Sequence, residues 1–93
     1  MELTKDQEEF LKNLILLKRE RGDLDPLELY VKMECTEEIK KEMERRYGVK
    51  IEEIPEIEVT VIYFPLNFKR LKEFLNTPYV KDWRLPRWVY ACD

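Results

Sequence analysis

Histidine and serine are absent from this 93-residue chain, and glutamine and alanine occur once each, as Gln7 and Ala91. Without histidine there is no imidazole base, no histidine metal ligand and no imidazole switch near neutral pH. Without serine there is no serine nucleophile. Gly22 and Gly48 are the only glycines, which excludes a glycine-rich phosphate loop. Two cysteines with no histidine do not complete a four-ligand zinc site. Long apolar runs are missing too: Leu14 to Leu17 and Val61 to Phe64 fall far short of the roughly 20 residues that cross a bilayer. The first ten residues are acidic and polar, unlike a secretory leader. The expectation is a soluble, cytoplasmic protein with no membrane partner and no cofactor.

What is abundant is charge. Fifteen Glu and ten Lys help to bring the charged fraction to 40%, against 44% hydrophobic residues. That is enough apolar material for a core and too much for a disordered tail. The length suits one domain, 1–93. Glu and Lys in excess over Gln and Asn match the bias of hyperthermophile proteins, so a thermophilic source is expected. Cys35 and Cys92 lie 57 positions apart. They read as buried thiols or, since intracellular disulfides do occur in hyperthermophiles, as a bridge tying the chain's end to its helical half.

The period of the apolar residues divides the chain into a helical part, 1–48, and a strand-helix-strand part, 49–93. Thr4 and Gln7 form a capping box for a helix from Lys5 to Arg21, with acids in its first turns, Lys18, Arg19 and Arg21 in its last, and Gly22 beyond. Its apolar stripe, Phe10, Leu14 and Leu17 widened by Leu11 and Ile15, is broad enough to offer a second face to a partner chain. Asp25 and Pro26 suit the start of a second helix reaching Glu34, with Leu27, Tyr30 and Val31 at helical spacing. Thr36 caps a third, Glu37 to Tyr47, burying Ile39, Met43 and Tyr47 and ending at Gly48.

Beyond Gly48 the period falls to 2. Ile57, Val59, Val61 and Tyr63 alternate with Glu56, Glu58 and Thr60, which predicts a strand whose second set faces water until Ile62 and Phe64, where that face turns apolar and the end is covered on both sides. Val49 and Ile51 begin a shorter strand before Pro55. Asn67 caps a helix from Phe68 to Asn76 that buries Leu71, Phe74 and Leu75. An irregular stretch then leads to a last strand, Arg87 to Cys92. The predicted class is α+β: three N-terminal helices, then a strand-helix-strand unit forming a small sheet packed on them. So few strands need helices on one face, or strands of a second subunit, to be stable.

Three constellations bear on function. The first is charge asymmetry: residues 1–58 carry −6 and residues 59–93 carry +3. At the basic end Tyr79, Trp83, Trp88 and Tyr90 interleave with Lys81, Arg84 and Arg87, a mixture that either closes the core or forms a binding surface. The second is the expected tandem of helices two and three, whose outline resembles a helix-turn-helix unit and would bind DNA through Lys40, Lys41, Arg45 and Arg46. Glu37 and Glu38 occupy the positions nearest the bases and carry the wrong sign for phosphate. The third is Glu56 and Glu58 on one strand face, a carboxylate pair for Mg²⁺ or, more plainly, a charged edge that discourages strand pairing. Neither cysteine has a histidine to activate it, although Cys35 beside a helix N-terminus would gain some thiolate character. These features predict a non-enzymatic binding or regulatory protein that is a homodimer and acts through contact with another protein. The surface favoured is Tyr79, Lys81, Trp83, Arg84 and Arg87. DNA regulation is the alternative.

Overall fold

The computed structural model describes residues 2–57 and 59–86. Its first element is a helix, α1, Lys5–Glu20. Gln7 N–H donates to Thr4 Oγ1 at 3.2 Å while Gln7 Oε1 accepts from Thr4 N–H at 3.0 Å, so two of the helix's orphan donors are satisfied reciprocally. Gly22 takes φ +72°, and Lys18 then pairs with Asp23 at 2.8 Å across the end of the helix.

The segment expected as a second helix is instead a strand, β1, Leu27–Met33. Both periods fit so short a stretch. At a spacing of two, however, Leu27, Leu29, Val31 and Met33 all point to one side, whereas a helix would have turned Leu29 away and brought Glu34 inward. Aromatic Tyr30 and β-branched Val31 favour the pleated choice. The helix-turn-helix outline therefore loses its first helix. Its second forms as predicted: α2, Glu37–Tyr47, starts where Thr36 Oγ1 accepts from Ile39 N–H at 3.2 Å. It stops at Gly48, whose φ of +68° is the left-handed cap that a glycine tolerates.

The remaining described elements follow a similar logic. β2, Lys50–Ile54, is the shorter strand; a 3₁₀ turn, Pro55–Ile57, separates it from β3, Val59–Phe64. Asn67 Oδ1 accepts from Arg70 N–H at 3.1 Å to open α3, Phe68–Leu75. The stretch read as irregular contains β4, Val80–Arg84. The last strand expected, Arg87 to Cys92, lies outside the described residues, as does the proposed Cys35–Cys92 bridge.

The four strands make one antiparallel sheet in the order β2-β3-β1-β4. β3 and β4 both flank β1 and hence run in the same direction, with α3 as the crossover between them. This is the split β-α-β-β-α-β arrangement preceded by α1. Helices and strands interleave, which corrects the expectation that all the early helices precede the sheet: the first 48 residues supply its central strand.

All three helices contribute to one apolar cluster on one side of the sheet. Phe64 and Phe74 approach with centroids 5.4 Å apart, and Tyr47 meets Phe74 edge-on at 5.6 Å. Leu29, Val31, Ile62, Leu71 and Leu75 surround them, each almost completely buried. Each such side chain is worth about 1.5–3 kcal/mol in burial. α1 joins through Leu11 and Ile15, with Glu8 paired to Lys72 of α3 at 2.9 Å. Its predicted stripe divides: Leu11 and Ile15 are buried, whereas Phe10 and Leu17 remain 45% and 41% exposed.

β3 turns the opposite way from the sequence expectation. Thr60, Ile62 and Phe64 face the helices, and Val59, Val61 and Tyr63 face away. Thr60, read as a wet position, is buried.

Candidate interaction surface

No described helix covers the second side of the sheet, and the strands aim a mixed set of side chains at it. β1 presents Glu28, Tyr30 and Lys32, β3 presents Val59, Val61 and Tyr63, β2 presents Lys50, Glu52 and Ile54, and β4 presents Asp82 and Arg84. Register arranges them in rows across the strands. One row reads Glu52, Val61, Tyr30, Arg84; beside it lies Lys50, Tyr63, Glu28. On the far side of the first row, Ile54 pairs with Val59 and Lys32 with Asp82.

Apolar and aromatic groups hold the centre of this face. Val61 is only 3% exposed although it points away from the helices and lies outside the main apolar cluster, so its neighbours on the open side must cover it. The Tyr63 hydroxyl donates to Glu52 Oε2 at 3.4 Å, and the Lys50 ammonium lies 5.9 Å from the Tyr63 ring centroid. Partial desolvation, then repulsion of a phenolate by Glu52 and Glu28, holds the Tyr63 hydroxyl above its ordinary pKa. Tyr63 therefore stays a neutral donor at physiological pH. Between Tyr30, Val59, Lys32, Asp82 and Arg84 the face dips into a depression of about 160 Å³.

Around that centre stand three bases, Lys32, Lys50 and Arg84, and three acids, Glu28, Glu52 and Asp82. Among the described residues none of the six makes an ion pair within the chain. The local net charge is zero. An apolar, aromatic centre with a charged surround is the anatomy of a protein-contact surface.

The residues singled out from the sequence scatter. Tyr79 is half-buried against the core, and Trp83 packs on the helix side, its indole N–H buried without a partner among the described residues. Lys81 is exposed and donates to the Pro78 carbonyl at 3.1 Å. Of the four that are described only Arg84 reaches the open face, and Arg87 lies outside the described residues. On α2, helical spacing sets Lys41 and Arg45 opposite Met43, with Lys40 and Arg46 on the two flanks and four glutamates between them. Arg46 lies over the Tyr47 ring at 5.4 Å. The four cations thus surround the helix rather than forming one stripe.

Cys35 gains no thiolate character. Burial, then a hydrogen bond to Glu53 and that carboxylate's charge, push its thiol from the ordinary 9.0 up to about 12. The expected thiolate character is corrected accordingly: two nearby glutamates outweigh Lys40. Glu56 sits exposed in the 3₁₀ turn, and Glu58 lies outside the described residues. Among the described residues no group of three potential metal ligands comes together, and no helix is long and apolar enough to cross a membrane.

The open face itself was missed from the sequence. The helical reading from Asp25 to Glu34 takes in Tyr30 and Lys32, and the alternation before Phe64 puts Val59, Val61 and Tyr63 on the core side. The signal present was Leu27, Leu29, Val31 and Met33 alternating through β1, which turns Tyr30 outward as soon as the segment is read as a strand. The fold and this face together define a small α+β protein with one sheet surface that no described helix covers. The chain matches no protein-family model, no curated protein and no solved structure.

Proposed function

We propose that the chain is a non-enzymatic binding protein that acts through protein-protein contact, using the open face of the sheet. The observation that supports this most is the placement of Tyr30 and Tyr63, beside the sheltered Val61, at the middle of a face that no described helix covers and that is ringed by equal numbers of acids and bases. A face meant only for water would alternate to polar residues throughout. A face built for a phosphate chain would carry an excess of cations, and this one carries none.

Duplex and single-stranded oligonucleotides titrated at low salt separate this reading from DNA regulation. The expected result is no saturable binding. Binding that weakens steeply as salt rises, and that is lost on replacing Lys41 and Arg45 by Glu, overturns the protein-contact reading in favour of α2 on phosphate. A photo-crosslinking side chain at position 30 or 63, set against one at exposed position 41, tests the surface directly. Discrete protein adducts are expected from the first two positions and not from the third.

A further inference from the structure

Resting on that reading of the open face, we infer that its partner is a second copy of this chain, docked sheet to sheet about a twofold axis that runs parallel to the strands between β3 and β1. The strand order β2-β3-β1-β4 means that such an axis exchanges β2 with β4 and β3 with β1. The row Glu52, Val61, Tyr30, Arg84 then lies on its own reverse. Glu52 of each copy meets Arg84 of the other, and Tyr30 of each lies over the side chains that shelter Val61 of the other, so the contact repeats twice, as an isologous interface requires. In the next row Tyr63 of each copy comes over Glu28 of the other.

The charges of this row favour this axis. A twofold axis at right angles to the strands and passing through the same row lays each strand on its own copy and sets Glu52 against Glu52 and Arg84 against Arg84, which like-charge repulsion opposes. Arg84 has no carboxylate partner among the described residues of its own chain, so the interface supplies one. Edge-to-edge pairing is discouraged at β2, where Lys50, Glu52 and Glu53 are followed by Pro55. Four strands about 4.8 Å apart give a face only some 15–20 Å wide. The contact therefore lies at the small end of specific interfaces, and association is expected in the micromolar range or weaker.

The test is light scattering and sedimentation equilibrium on the whole chain, from micromolar concentrations to about 1 mM. Concentration-dependent dimerisation is expected. Arg84→Glu alone and Glu52→Arg alone should each weaken it tenfold or more, whereas the double variant should return to within about threefold of the parent, because the reversed charges face each other again. Circular dichroism checks that the variants fold. Isotope-filtered NOEs in a mixed labelled and unlabelled sample of the parent chain need no substitution and should connect the Tyr63 ring to the Glu28 methylenes between copies. A monomer at the highest concentration overturns the second-copy inference while leaving contact with a different protein in place. A dimer without those NOEs, or one whose double variant is not rescued, overturns the axis and the face together.

Discussion

On one side of the sheet Leu29, Val31, Ile62 and Phe64 meet Phe74, Leu71 and Tyr47 and disappear from water, whereas on the other Tyr30, Val61 and Tyr63 sit among six charged side chains with no described helix above them. Both sides are apolar at the centre. They differ in what finishes them: the chain's own helices complete the first, and among the described residues only side chains of neighbouring strands shelter the second. The difference separates two uses of hydrophobic residues, one that sets stability and one that leaves a surface able to bind.

The sharpest way to break this contrast is to cut into each side and compare the losses. Phe74→Ala should cost about 3–5 kcal/mol in denaturant unfolding, since it removes the ring that Phe64 and Tyr47 both touch. Val61→Ala on the open side should cost about 1–2 kcal/mol, less than Phe74→Ala but more than the roughly 0.5 kcal/mol limit for an ordinary surface site. A loss within that limit would mean that the strand side chains do not shelter Val61. Thr36→Ala, which removes the acceptor for Ile39 N–H at the start of α2, should cost about 1 kcal/mol and leave the open face intact.

A pH series probes the covered side again. The Cys35 thiol has a folded pKa raised to about 12 from an ordinary 9.0, so the unfolded chain loses its proton first on the alkaline side. The stability this contributes is fully present below pH 9 and is lost as pH rises toward 12. Unfolding followed at pH 8, 9 and 10 should show that decline, and Cys35→Val should flatten part of it. The smallest effect belongs to the surface pair of Glu8 with Lys72, where Glu8→Gln should cost at most about 0.5 kcal/mol and be invisible at high salt.

Sequence legibility followed the strength of local signals. Thr4 with Gln7, Thr36 with Gly48, and Asn67 each mark a helix end through a side chain within three residues of its partner or a glycine with positive φ, and all three helices start where those residues place them. β1 was not legible because Asp25-Pro26 imitates a helix start and seven residues are too few to separate a period of 3.6 from one of 2. β3 was legible as a strand but not in its orientation: in Val59–Phe64 both alternating sets are apolar apart from Thr60, and that hydroxyl turned out to be buried. The candidate surface depends on both assignments at once. It appears only when tertiary pairing places Tyr30 beside Val61, residues 31 positions apart in the chain.

The position of β1 at the centre of the sheet also bears on how the chain is made. Its neighbours come from residues 59–64 and 80–84, so a nascent chain emerging from the ribosome holds a finished central strand long before either flank exists. Until β4 emerges, one edge of β1 has its backbone donors and acceptors open to any other extended chain, with Leu29 and Val31 alongside. Folding must therefore close late and over long sequence separations, which slows it relative to a helical bundle of the same length. A chain cut short before Val80 keeps that adhesive edge permanently.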